Sequence, residues 1–128
     1  MPKALVVDDS KAVRMILGRT LKEIGFEVSE AGDGRQALDI IAQDKVGMKL
    51  VLADWNMPEM NGLDLLKNLR QDRELDSLVV VMVTTETDID QMVIALEAGA
   101  NEYVMKPFTT EILMGKLQMA GIAVPEPA

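Results

Sequence analysis

Ala4-Leu5-Val6-Val7-Asp8-Asp9-Ser10 is a short apolar run that stops at two adjacent carboxylates and a hydroxyl. Beyond it the apolar residues change period. Val13, Ile16, Leu17, Leu21 and Ile24 recur at three- and four-residue steps, so the strand passes into a helix from about Lys11 to Ile24, which Gly25 ends. Three further runs end in the same way: Leu50–Ala53 before Asp54, Leu78–Val83 before Thr84, and Tyr103–Met105 before Lys106. As neighbouring parallel strands, these runs would bring three carboxylates, a hydroxyl and an ammonium group to one edge of one sheet. Acids that close repel one another unless a cation joins them, which implies a metal site.

The intervening segments fit this arrangement. Phe26–Ala31 alternates apolar and polar residues, as an edge strand does. Asp33-Gly34 opens a second helix through Ala37, Leu38 and Ile41, and Asn61-Gly62 precedes a third carrying Leu63, Leu66 and Leu69. Gln71 to Ser77 reads as a polar return loop. The runs at Leu50–Ala53 and Leu78–Val83 have no polar residue and are expected at the sheet centre. A fourth helix is predicted from about Asp88 to Ala98, with Ile89, Val93 and Leu96 on the sheet and Met92 off the apolar face. Thr109 or Thr110 should cap a fifth helix ending before Gly121. Alternating strands and helices predict an α/β fold with a single doubly wound parallel sheet, in one domain over residues 1–123 with a tail at 124–128. Ligands bind such sheets at the carboxyl ends of the strands, where the four polar motifs fall.

Composition narrows the chemistry. At 128 residues the chain can bury a core without staples, roughly two-thirds of its unfolded surface. Without cysteine there are no disulfides, thiolate sites or cysteine nucleophiles, and without histidine there is no Ser-His-Asp arrangement. Net charge −8 and a pI near 4.5 argue against unaided binding to nucleic acid. No signal peptide or membrane span is expected, and the chain reads as soluble.

Aspartate oxygens are hard ligands suited to Mg²⁺, and Asp8, Asp9 and Asp54 could supply part of its shell. An anion bridging the metal and Lys106 is the natural third partner, and a phosphoryl group fits best. A carboxylate can itself attack phosphorus, and Asp54, alone at the end of a central strand, is the expected nucleophile. Thr84 and Lys106 can then hold phosphoryl oxygens. Each motif alone has an ordinary explanation in a helix cap or a turn. Their joint occurrence at four strand ends carries the functional reading.

Val6-Val7-Asp8-Asp9-Ser10, Ala53-Asp54-Trp55-Asn56-Met57-Pro58, Val83-Thr84 and Lys106-Pro107-Phe108 together resemble the receiver domains of two-component response regulators, over almost the whole chain and in order. With Asn61-Gly62-Leu63 added, the likeness is strongest to the single-domain chemotaxis regulators of the CheY type. The resemblance implies a flavodoxin-like sheet of order 2-1-3-4-5 with five helices. It implies that Asp54 accepts a phosphoryl group from a phosphohistidine on a CheA-like sensor histidine kinase. Asp9, Asp54 and the main-chain carbonyl of Asn56 would bind Mg²⁺ directly, and Asp8 through water. Lys106 would pair with Asp54 or its phosphate, ahead of a cis Pro107. Thr84 and Tyr103 would form the switch, read out on the face of the fourth helix, fifth strand and fifth helix, with Met92, Tyr103 and Lys116 as candidate contacts. Asn56 and Glu86 occupy the positions that tune loss of the phosphate, which implies a lifetime of seconds to minutes rather than hours.

The expected output partner is the flagellar motor switch protein FliM, met by a cytoplasmic monomer, and a dedicated phosphatase is a further possible partner. Other single-domain receivers act as phosphate sinks, phosphorelay intermediates or pilus regulators. Two different classes fit less well. An aspartate-nucleophile phosphatase usually has an acid where Asn56 stands, and a nucleotide- or flavin-binding domain would want a glycine-rich first turn.

Overall fold

The computed structural model describes residues 2–85 and 89–122. In chain order the elements are β1 (Lys3–Val7), α1 (Lys11–Ile24), β2 (Glu27–Ala31), α2 (Gly34–Gln43), β3 (Met48–Ala53), α3 (Gly62–Arg70), a short 3-10 helix (Arg73–Leu75), β4 (Val79–Thr84), α4 (Ile89–Glu97), β5 (Glu102–Met105) and α5 (Thr110–Met119). All strands pair in parallel in the order β2-β1-β3-β4-β5. The alternating strand β2 is at an edge, and β3 and β4, which carry the apolar runs Leu50–Ala53 and Val79–Val83, are interior, as their patterns predict. The 3-10 helix interrupts what the sequence suggests is a plain loop.

Successive strand residues serve opposite faces. Leu5, Val7, Val51, Ala53, Val80 and Met82 meet Ala37, Ile41, Leu65, Leu66, Leu69 and Ala95 of α2, α3 and α4. Ala4, Val6, Leu50, Leu52, Val81 and Val83 meet Leu17, Leu21, Leu113 and Leu117 of α1 and α5. The sheet is thus covered on both sides, and polar groups can converge only at its ends. Helix starts are set by side-chain caps: Ser10, Asp33, Asn61 and Thr109 accept from the main-chain N–H of Val13, Gln36, Asp64 and Ile112. Each such cap is worth about 1 kcal/mol.

Two helical faces differ from the predicted ones. Ile16 points outward, 65% exposed, while Gly18 takes the inner, buried position facing Val28 of β2. In α4, Ile89, Val93 and Leu96 are exposed, at 73%, 45% and 46%, and Ala95 faces the sheet instead. Met92, placed off the apolar face by periodicity, packs against the buried core. The helix is apolar on several sides, so its pattern does not choose a face. Packing does, and the small Ala95 allows the closest approach to the strands.

At the opposite end from the polar motifs, Arg70 ties three segments together. Its guanidinium donates to the carbonyls of Gly99 at 2.9 Å, Leu75 at 3.0 Å and Leu78 at 2.8 Å, and to Asn101 Oδ1 at 2.8 Å. Burial pulls this guanidinium below its usual pKa, with Asp76 opposing the shift. Truncation would strand several carbonyls at once. Arg70→Ala should therefore lower unfolding free energy by about 3 kcal/mol, read by urea denaturation, and a loss within 0.5 kcal/mol would show the hub to be dispensable.

Candidate functional site

Register explains why the acids meet. β1 and β3 align Val7 with Ala53, so the next residues, Asp8 and Asp54, leave adjacent strands side by side. The ladder continues one step further, because Asp54 N–H donates to the Val7 carbonyl at 2.9 Å. One oxygen from each of Asp8, Asp9 and Asp54 lies within 4.8 Å of the others. Asp8 is 2% exposed, the one buried polar residue among those described. Its Oδ1 accepts from Ser10 N–H and its Oδ2 from Lys106 Nζ, both at 2.9 Å. Its carbonyl accepts from Arg14 Nη1 at 2.7 Å.

Lys106 reaches the cluster from the end of β5. Its ammonium is 3.9 Å from Asp54 Oδ2, an ion pair without hydrogen-bond length, while its short bond goes to Asp8. The most buried carboxylate has the most to gain from a full positive charge. The Lys106-Pro107 bond is cis, as the resemblance implied. Three carboxylates and one ammonium leave two negative charges in excess, all on hard oxygen donors. A divalent, oxygen-seeking cation such as Mg²⁺ fits that set.

Asp54 sits in a turn that leaves little room. Its Oδ1 accepts from Trp55 N–H at 2.8 Å, and the Trp55 carbonyl accepts from Gly62 N–H at 2.9 Å. A Cβ on Gly62 would collide with the Asp54 carbonyl oxygen. Between them Met60 N–H bonds the Pro58 carbonyl at 2.6 Å across Glu59, whose φ of 63° is left-handed: a γ-turn, a conformation rarely adopted. Gly34 opens α2 against Met60, where a Cβ would stand 2.7 Å from the methionine Cγ. Asp9 and Asn56 line an open depression with Met57, Pro58 and Asn61, so the cluster faces solvent on that side.

The remaining predicted residues separate by position. Thr84 is the last residue of β4 and pairs with Met105 of β5. Glu86 lies outside the described residues, as does the tail at 124–128. Tyr103 is buried at 2%, on the same face of the sheet as Met82. Lys116 of α5 is ion-paired with Glu102 at 3.2 Å. Sequence reasoning passed over Arg14, and it read Gly62 only as a helix start and part of the resemblance, not as a close approach to Asp54. A basic residue on a helix and a glycine at a helix start are both commonplace, and only proximity to Asp8 and Asp54 distinguishes them.

The family model for the response regulator receiver domain matches residues 4–118. The chain belongs to that family. It is 46% identical over 121 residues to chemotaxis protein CheY1 of Helicobacter pylori, covering 91% of this chain and 94% of the relative. To the chemotaxis protein CheY homolog of Campylobacter jejuni it is 43% identical over 117 residues, covering 91% and 89%. The crystal structure of chemotaxis protein CheY4 of Vibrio cholerae superposes with a TM-score of 0.85 at 35% identity, covering 94% of this chain and 98% of that one. This receiver domain is therefore a phosphorylation-dependent signalling protein closely related to chemotaxis regulators, and receivers in general depend on Mg²⁺. No helix among its described residues is long and apolar enough to cross a membrane.

Burial raises the Asp54 pKa above the ordinary carboxylate value. Lys106 opposes the shift, and Asp8 and Asp9 add to it. A carboxyl with a raised folded-state pKa binds more protons folded than unfolded, so stability falls as pH rises from the unfolded value through the folded one. In chelator, Asp54→Asn should therefore melt higher than the wild type at pH about 7, with the gain shrinking as pH falls through the ordinary carboxylate range. A variant melting lower at neutral pH would contradict this electrostatic picture.

Proposed function

We propose that Asp54 is the phosphoacceptor of a Mg²⁺-dependent receiver, and that phosphorylation changes the α4-β5-α5 face to bind an output protein in chemotaxis. The observation that carries this reading is the convergence of Asp8, Asp9 and Asp54 beside Lys106 at the carboxyl ends of β1, β3 and β5. An Asp54 carboxylate oxygen attacks phosphorus, the bond from phosphorus to the donor imidazole nitrogen breaks, and the freed histidine stays on a CheA-like kinase. Lys106 meets the incoming charge on one side, and the Thr84 hydroxyl donates to a phosphoryl oxygen on another. Asp9, Asp54 and the Asn56 carbonyl would hold Mg²⁺ directly and Asp8 through water. Bound there, the ion offsets charge on the transferred oxygens.

The phosphoryl group adds roughly one negative charge and three acceptor oxygens beside the end of β4. Thr84 moves toward them, and Tyr103 is held inward behind it. Buried Tyr103 and core-packed Met92 then act from within, whereas Lys116 and the exposed α4 side chains meet the partner. The protein catalyses its own phosphorylation and dephosphorylation but turns over no further substrate. We take the output partner to be the motor switch protein FliM, the location cytoplasmic, the free state monomeric and the domain to span residues 1–123.

Trp55, the single tryptophan, adjoins Asp54 and reports on the site. Its fluorescence should change with Mg²⁺ and again with beryllofluoride or acetyl phosphate, and Asp54→Asn should abolish the second change. A full second response in that variant would refute the acceptor assignment. Beryllofluoride should also tighten binding to a motor-switch peptide by about tenfold, roughly 1.4 kcal/mol of coupling. Equal affinity in both states would point to a phosphate-sink or relay role.

A further inference from the structure

We propose that Arg14 is a positioning residue for the acidic cluster, holding the peptide between Asp8 and Asp9 so that Asp9 stays aimed at the metal. Arg14 lies one turn into α1, its N–H bonded to the Ser10 carbonyl at 3.0 Å. Long helical side chains lean toward the N-terminus, which carries this one back over the strand-to-helix turn. There Nη1 donates to the Asp8 carbonyl at 2.7 Å, while Nε donates to Glu30 Oε1 on β2 at 3.1 Å. The guanidinium is planar, so two bonds made through different nitrogens set its orientation as well as its position.

Repulsion within the cluster makes this grip matter. Asp8 is immobilised through both carboxylate oxygens, and its N–H donates to the Ala31 carbonyl at 3.1 Å. Asp54 is fixed by the ladder to Val7 and by Trp55 N–H. Asp9 is the exposed member, with the greatest freedom to relieve the repulsion. Its simplest escape is rotation of the peptide joining it to Asp8, which would turn its carboxylate outward. That rotation requires the Asp8 carbonyl to leave Arg14. Glu30 supports the arrangement from the edge strand, although its own side chain is 44% exposed. The inference rests on reading the cluster as a Mg²⁺ site.

The test is a Mg²⁺ titration of the full chain, followed by Trp55 fluorescence and by calorimetry, with thermal melts in chelator as a separate measure of folding. Arg14→Ala should weaken Mg²⁺ affinity by about tenfold, within the range seen when a partner behind a metal ligand is removed. Glu30→Gln, which keeps an acceptor but loses the charge, should weaken it less. Arg14→Lys should leave most of the loss in place, because a single ammonium on a flexible stem lacks the fixed fork. Wild-type affinity in Arg14→Ala overturns the proposal, even if that variant melts lower. Full rescue by Arg14→Lys also overturns it, by showing that charge alone suffices. A wild-type chain that does not bind Mg²⁺ overturns the metal reading of the cluster, and the role of Arg14 with it.

Discussion

Three carboxylate groups held with oxygens inside 4.8 Å form an electrostatic load on the native state, and the rest of the domain is arranged around carrying it. Two of the acids leave the neighbouring strands β1 and β3, whose backbones are locked by pairing on both sides. A loop would yield to the repulsion, but a strand packed on both faces does not. The ammonium of Lys106, the main-chain N–H groups of Ser10 and Trp55, and the rigid turn at Gly62 each hold one part of the load in place. Rigid elements give more precise sites than loops do, and this cluster needs that precision.

Most of the architecture was legible because strands buried on both faces read as continuous apolar runs and an edge strand does not. The four polar motifs were legible for a related reason. A charged residue directly after such a run can only lie at a strand end, and parallel strands put those ends together. What the pattern could not supply was rotation about a helix axis where several faces are apolar. Ile89, Val93 and Leu96 satisfy a helical period as well as Met92 and Ala95 do, and only the fit of Ala95 beneath the strands separates the two choices. Hydrogen-bond partners were equally hidden. That Lys106 bonds Asp8 more closely than Asp54 follows from their relative burial, which no local sequence property reports.

The same division separates chemistry from recognition. Groups at the strand ends are fixed by covalent continuity with the sheet, whereas the outer surface of α4 owes its composition to nothing inside the domain. Its exposed aliphatic residues contribute little to the core, so substitutions there leave the packing beneath the acids in place. Sheet-end chemistry and helix-face composition can therefore change separately within one small domain.

The bond between Lys106 and Asp8 spans 98 positions of the chain. Contacts that far apart in sequence close late, because every shorter loop can form before them at lower entropic cost. During synthesis the acids emerge long before the lysine that offsets them. A nascent chain ending within α4 carries all three acids but not the lysine. The last strand thus completes the charge balance of the first, and the acids gain their ammonium partner only when the sheet is whole.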